Sequence, residues 1–272
     1  VPSAPARILA IVVMMSAPLA AQWPSHPKFG APRTPDGTVR LDAPAPRTSD
    51  GKPDLSGVWE TVRTGPGQAI TGPDVHPLER PSQFWNIGSG LPGGLPLQPW
   101  AAALRDARVA NNSRDNPDPH CLPIGITQLH NHPQPRKIIQ TPTLVLILYE
   151  ANDGIRQIFM DGRPLPNNDP QPWWYGYSIG RWDGDTLVVD TSGFRDGGWL
   201  DVNGAPLTDA ARMTERFRRV NYGTLEIDVT VDDPKAYTRP WTARTIRQQL
   251  LPDDELIEFV CKENEKSTQR FQ

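Results

Sequence analysis

TLEIDVTVD, residues 224–232, alternates without a break: Leu225, Ile227, Val229 and Val231 fall on one side, Glu226, Asp228, Thr230 and Asp232 on the other. Successive strand side chains point to opposite faces, so this stretch is a strand with one buried and one wet face, as in antiparallel sheets. Similar runs surround it: RKIIQTPTLVLILYE, IRQIFMDG, YGYSIGRW, DTLVVDTSGF and TERFRRV before it, WTARTIRQQLL and ELIEFVCKE after it. Turn signals such as NDG, DG, YG and PDD separate them. With LSGVWETV (55–62) they make about nine strands joined by short turns with no helices between. That order predicts an all-β fold closed into an antiparallel up-and-down barrel, with a β-sandwich as the alternative.

Composition agrees. Proline (31) and glycine (22) make up 53 of the 272 residues, which disfavours helix interiors. The net charge of -3 leaves no basic field for nucleic acid or an anionic membrane. Twenty prolines fall in residues 22–142 and eight in 143–272, so the chain changes character near residue 143. Residues 22–50 read as a Pro-rich arm in which the phrase R-T-x-D-G occurs twice. Residues 51–272 read as one barrel domain with an insertion at 63–142. Within it, PWAAALRDARVAN (99–111) opens on proline and is filled by helix formers, which predicts a helix.

Residues 1–21, VPSAPARILAIVVMMSAPLAA, place Arg7 before an apolar run at 8–15 and small residues after it. This is the pattern of a secretory signal peptide, and the run is too short to span a bilayer. The expected location is therefore the periplasm or the extracellular space. An oxidising compartment makes Cys121 and Cys261 candidates for a disulfide, which in the chain-entropy account removes about 4–5 kcal/mol of unfolded-chain freedom. Two buried free thiols are the alternative.

SGVWE carries the Gly-x-Trp pattern that opens lipocalin-like (calycin) barrels. DGKPDLSGVWE, the CLPIG turn, KIIQTP, IFMDGRPLP, YSIGRWDGDTLVVDTSGF, TERFRR and VTVDDPKAYTRPW together resemble a family of exported soil-bacterial, acidobacterial-type proteins. The resemblance implies a lipocalin-like barrel and supplies no activity. Where that family commonly has histidines, this chain has Ala205, Leu207 and Arg212, so no metal site carries over.

Three groups of residues are candidates for chemistry. The aromatic cluster Trp173, Trp174, Tyr175 and Tyr177, with Arg181, can stack on a sugar, phenolic or lipophilic ligand, since alternation groups Tyr175, Tyr177 and Arg181 on one face. Glu150, expected on the inner face with Leu144, Leu146 and Leu148, together with Asp190, Glu215 and Arg156, can supply acid–base catalysis. His120, His130 and His132 can hold one divalent metal if His130 and His132 share a strand face; otherwise they are loop histidines and no cofactor is implied. GYSIG (176–180) spells G-x-S-x-G and GSGLPG (88–93) spells G-x-G-x-x-G, but the first lies inside a strand run and the second in a Gly/Pro-rich stretch rather than at a strand-to-helix turn, so neither is a nucleophile elbow or a dinucleotide fingerprint; no P-loop or H-E-x-x-H motif is present. Three functions follow as expectations: an exported small-molecule binding protein, a secreted acid–base hydrolase or lyase on the same barrel, or a surface interaction protein using the Pro-rich arm. The oligomeric state is open.

Overall fold

A computed structural model describes residues 30–62, 83–166 and 171–261; the leader and the start of the arm lie outside them. Among the described residues there are twelve strands: β1 (Gly57–Thr61), β2 (Arg136–Gln140), β3 (Leu144–Tyr149), β4 (Gly154–Phe159), β5 (Tyr177–Asp183), β6 (Thr186–Ser192), β7 (Gly198–Trp199), β8 (Pro206–Leu207), β9 (Arg212–Arg219), β10 (Thr224–Asp232), β11 (Trp241–Thr242) and β12 (Ile246–Leu251). Two α-helices accompany them, α1 (Pro99–Ala110) and α2 (Ile126–Asn131).

Nine strands close into a barrel in the order β1-β2-β3-β4-β5-β6-β9-β10-β12 and back to β1. The chain thus winds round in sequence order, and the sandwich alternative is set aside. An odd ring cannot alternate direction throughout. One neighbouring pair must be parallel, and it is β4–β5. The longer connection between those strands provides the crossover that a parallel pair needs.

Two strand expectations change. RKIIQTPTLVLILYE is a hairpin of two strands, β2 and β3, turning at Thr141, whose N–H and hydroxyl bond the Leu144 carbonyl at 2.9 and 2.8 Å. ELIEFVCKE is no strand through Cys261, because both edges of β12 are already taken by β1 and β10 and a closed barrel offers no free edge. The expected helix is α1, and β2 starts at Arg136, within the segment read as the insertion.

Alternation sets the core. Leu225, Ile227 and Val229 of β10 face Phe217 of β9, Leu187 and Val189 of β6, Ile158, Ile147, Ile138 and Trp59 across the interior, all buried. Each such side chain contributes roughly 1.5–3 kcal/mol.

The barrel has two dissimilar ends. At one, the arm forms the cap. Both copies of R-T-x-D-G fold into the same turn: Arg33 donates to the Gly37 carbonyl at 2.9 Å and Arg47 to that of Gly51 at 2.7 Å, with Gly37 and Gly51 at φ +88° and +78°. Only glycine adopts such angles without strain. The arm is pinned to the barrel's turns by Arg47–Asp185 at 2.6 Å and by the Ala43 carbonyl, which accepts from Tyr222 N–H at 2.7 Å. At the other end sits α2, and there the interior changes character.

Candidate functional site

Eight of the nine barrel strands place a polar side chain inward at the α2 end: Thr61 (β1), Arg136 (β2), Tyr149 (β3), Arg156 (β4), Ser178 (β5), Thr191 (β6), Glu215 (β9) and Gln248 (β12). The register makes them neighbours: Arg136 stands opposite Trp59 and Tyr149, Ser178 opposite Thr191, and Gln248 opposite Thr61. Helix α2 closes this layer. Its backbone passes so close to the β7–β8 hairpin that a Cβ on Gly125 would lie 1.9 Å from the Trp199 carbonyl oxygen, so no larger residue fits there. Thr127 anchors the helix by donating to the Leu200 carbonyl at 2.5 Å.

The centre of the layer is Glu215, fully buried. His130 Nε2 lies 2.7 Å from its Oε1, Arg156 donates to the same oxygen at 2.9 Å, and the second Arg156 nitrogen bonds Oε2. Arg156 also donates to Ser178 Oγ and Thr191 Oγ1 at 3.1 Å each. Burial alone would raise the Glu215 pKa, but Arg156 and His130 outweigh it and hold the carboxyl at about 2. Burial, reinforced by Arg156 and Arg136, lowers the His130 pKa against the pull of Glu215. The neutral imidazole therefore donates Nε2–H to Glu215 and keeps a lone pair on Nδ1.

Arg136 is the layer's second cation. It is 1% exposed and meets carbonyls and a hydroxyl rather than a carboxylate: His130 O and His132 O at 2.8 Å, Gln134 O at 2.7 Å and Thr61 Oγ1 at 2.9 Å. Desolvation lowers its pKa to about 10, still cationic at neutral pH. The Tyr149 hydroxyl is raised to about 12 by burial; it lies in the field of Arg156 without completing a hydrogen bond of good geometry. His130 Nδ1, the Tyr149 and Tyr175 hydroxyls, Gln248 Oε1, Arg136 Nε and the Gln128 amide are likewise buried and without partners. Tyr175 reaches the layer over Gly154, where a Cβ would stand 2.8 Å from its hydroxyl.

Outside the layer lies a recess of about 300 Å³ lined by Asp118, Pro119, His132, Gln134, Asn152, Phe259 and Cys261. His132 and Gln134 belong to both regions, since Arg136 holds their carbonyls from within. Cys121 and Cys261 form a disulfide with Cα atoms 5.7 Å apart, which ties the C-terminal segment across this end.

The other expected residues are placed as follows. The inner residues of β3 are Val145, Ile147 and Tyr149, so Leu144, Leu146 and Leu148 face outward; Glu150 follows the strand, half-buried, with its pKa raised by burial against a hydrogen bond from Ile257 N–H. Asp190 stands on the outer face, bonded to Arg181 and accepting from Thr214 Oγ1 at 2.9 Å. On β5 the alternation is as read, but the inner members are Ser178, Gly180 and Trp182; Tyr177 and Arg181 point outward. Tyr177 stacks on Phe159 with ring centres 5.0 Å apart, Trp173 is 41% exposed beside it, and Trp174 lies under Arg195. Of the aromatic cluster, only Tyr175 sends its polar tip inward.

The histidines do not converge. His130 ends a short helix rather than sharing a strand face with His132; His132 lies 3.6 Å from Asp118, and His120 bonds the Arg114 carbonyl at 2.8 Å. Among the described residues no three His, Cys, Asp or Glu side chains are grouped to hold a metal ion.

Of the polar layer, sequence reading picked out Arg156, Glu215 and His130, the last in a different role. It missed Thr61, Arg136, Tyr149, Ser178, Thr191 and Gln248. Alternation groups each with the other members of its face, but which face is inner is set by pairing around the barrel. No known protein family, curated protein or solved structure matches the chain. Among the described residues no helix is long and apolar enough to cross a membrane.

Proposed function

We propose that this protein is an exported, lipocalin-like binding protein for a small polar molecule, held at the polar layer beneath α2. One observation carries the reading: the unpartnered polar groups gathered there, His130 Nδ1, Tyr149 OH, Tyr175 OH and Gln248 Oε1. Each buried polar group without a partner costs about 1–3 kcal/mol, and departures from polar satisfaction concentrate at functional sites. The apolar layers further in are filled by Phe217, Ile147, Ile158, Val189 and Leu225, which argues against a lipophilic ligand. Arg136 adds a positive charge that no carboxylate contacts, so a sugar acid or phenolic acid suits the layer better than a neutral sugar. The recess at His132 and Gln134 is the approach, at the small end of ligand-site volumes. Export is supported by the leader pattern and by the Cys121–Cys261 disulfide.

The test is a thermal-shift panel of sugars, sugar acids, phenolic acids and a long-chain fatty acid. Stabilisation by the acidic polar compounds is expected; a response confined to the fatty acid would contradict the reading.

A second reading rests on the pairing of His130 with Glu215. A carboxylate that fixes one imidazole nitrogen and leaves the other with a lone pair is the orienting half of a general base. Under this reading the protein is an acid–base lyase or hydrolase in which His130 takes the proton and Arg156 holds Glu215 ionised. Turnover of a panel ligand, lost in His130→Asn with binding retained, distinguishes it from pure binding.

A further inference from the structure

The barrel's outer surface is divided. On β9, β10 and β12 the outward positions are Arg212, Thr214, Arg216, Arg218, Thr224, Glu226, Asp228, Thr230, Asp232, Arg247, Gln249 and Leu251, with seven charges among twelve. On β2, β3 and β4 they are Lys137, Ile139, Leu144, Leu146, Leu148, Ile155, Gln157 and Phe159, with one charge among eight. The register joins the apolar members across strands: Ile139 opposite Leu146, Leu148 opposite Ile155, Leu144 opposite Phe159, and Phe159 opposite Ile179 of β5. Ile155 is 62% exposed at the centre of this face. An antiparallel hairpin with a solvated outer face normally alternates apolar-in with polar-out. Here β3 is apolar on both faces, as in a strand covered on both sides.

The charges at the margin favour a second copy as the cover. Lys137 is bonded to Glu255, Arg163 to Asp161 and Arg181 to Asp190, so each of the three cations is met by an acid of its own chain. The face is therefore close to neutral. A charged partner or an anionic lipid surface finds no complement on it, whereas a second copy meets no like-charge repulsion.

We infer that the β2–β5 outer face is a self-association surface on which two copies of this chain pack, β3–β4 hairpin against β3–β4 hairpin. Four strands at about 4.8 Å spacing and six residues at about 3.3 Å make a patch of roughly 400 Å². That is half of the ~800 Å² per partner of a standard interface, the size of a weak, transient association.

Sedimentation velocity of the disulfide-bonded chain from about 5 to 500 μM tests this. A concentration-dependent rise from monomer to dimer is expected. Ile155→Glu, at a position too exposed to disturb folding, should abolish the rise with the melting temperature unchanged, and Arg216→Glu on the charged half should leave it intact. A monomer at the highest concentration, or a dimer unaffected by Ile155→Glu, overturns the inference. So does a chain that stays monomeric in solution and co-sediments with phosphatidylcholine vesicles through Ile155, since the occupant is then lipid.

Discussion

Glu215 and His130 are 85 residues apart in the chain and 2.7 Å apart inside the barrel, with side chains 0% and 1% exposed. A carboxylate in that position is tolerable only because Arg156 and His130 occupy its lone pairs, and the imidazole stays neutral because burial and two guanidiniums oppose its protonation. The pair therefore couples the packing of α2 to that of β9.

Stability should fall on acidification in two stages. The His130 pKa is depressed below its ordinary 6.5, so its contribution is complete above that value and declines as pH drops below it. The Glu215 pKa is depressed from 4.5 to about 2, so its contribution, about 3 kcal/mol at most, declines between those values. Urea denaturation from pH 8 to pH 3 should show both stages, and His130→Gln should remove the first and shrink the second, since His130 helps to hold the Glu215 pKa down. A flat profile between pH 7 and pH 5 would contradict the buried neutral imidazole.

Arg156→Met leaves Glu215 buried beside His130 alone and should cost about 3–5 kcal/mol. The double variant Arg156→Met/Glu215→Leu removes both charges and should regain much of the loss. Equilibrium denaturation of the three proteins measures the coupling. Equal losses in the single and double variants would mean that the pair acts through shape rather than charge.

Replacing both Cys121 and Cys261 by Ser opens a loop closed over a separation of 140 residues. The expected loss is about 2–5 kcal/mol, read as a lowered urea midpoint that matches the reduced wild-type protein. Because Cys261 also lines the recess, ligand affinity should weaken with it.

Inner and outer residues of β5 should respond differently. Ser178→Ala takes an acceptor from Arg156 in the interior and should cost about 1–3 kcal/mol. Tyr177→Ala on the outer face loses stacking on Phe159, about 0.5–1.5 kcal/mol, and should leave ligand affinity unchanged. Chemical denaturation of both variants, with titration of any panel ligand, separates the two faces.

The barrel was legible because period-two alternation is local: each of the nine barrel strands spans five to nine residues. Which face is inner is not local. YGYSIGRW splits into two sets by alternation, and the bulkier set with Tyr177 looks like the lining, yet the parallel pairing with β4 turns Ser178 inward opposite Ile158. LVLIL likewise reads the same from either side. His130 and His132 were legible as a pair but not as residues at the end of a six-residue helix, because α2 is held by tertiary contacts at Gly125 and Thr127 rather than by helix propensity. ELIEFVCKE has a strand's composition and no edge left to join.

The central claim is that the polar layer under α2 is the binding site, and calorimetric titration of the best thermal-shift ligand into wild type and Tyr149→Phe tests it most directly. Tyr149→Phe removes one buried hydroxyl whose contact within the protein is a poorly aligned one with Arg156, so folding stability should change little. Ligand affinity should meanwhile fall roughly tenfold, the loss of one hydrogen bond of about 1.4 kcal/mol. Unchanged affinity in Tyr149→Phe, for a ligand that wild type binds with one-to-one stoichiometry, would place the site elsewhere and contradict the account.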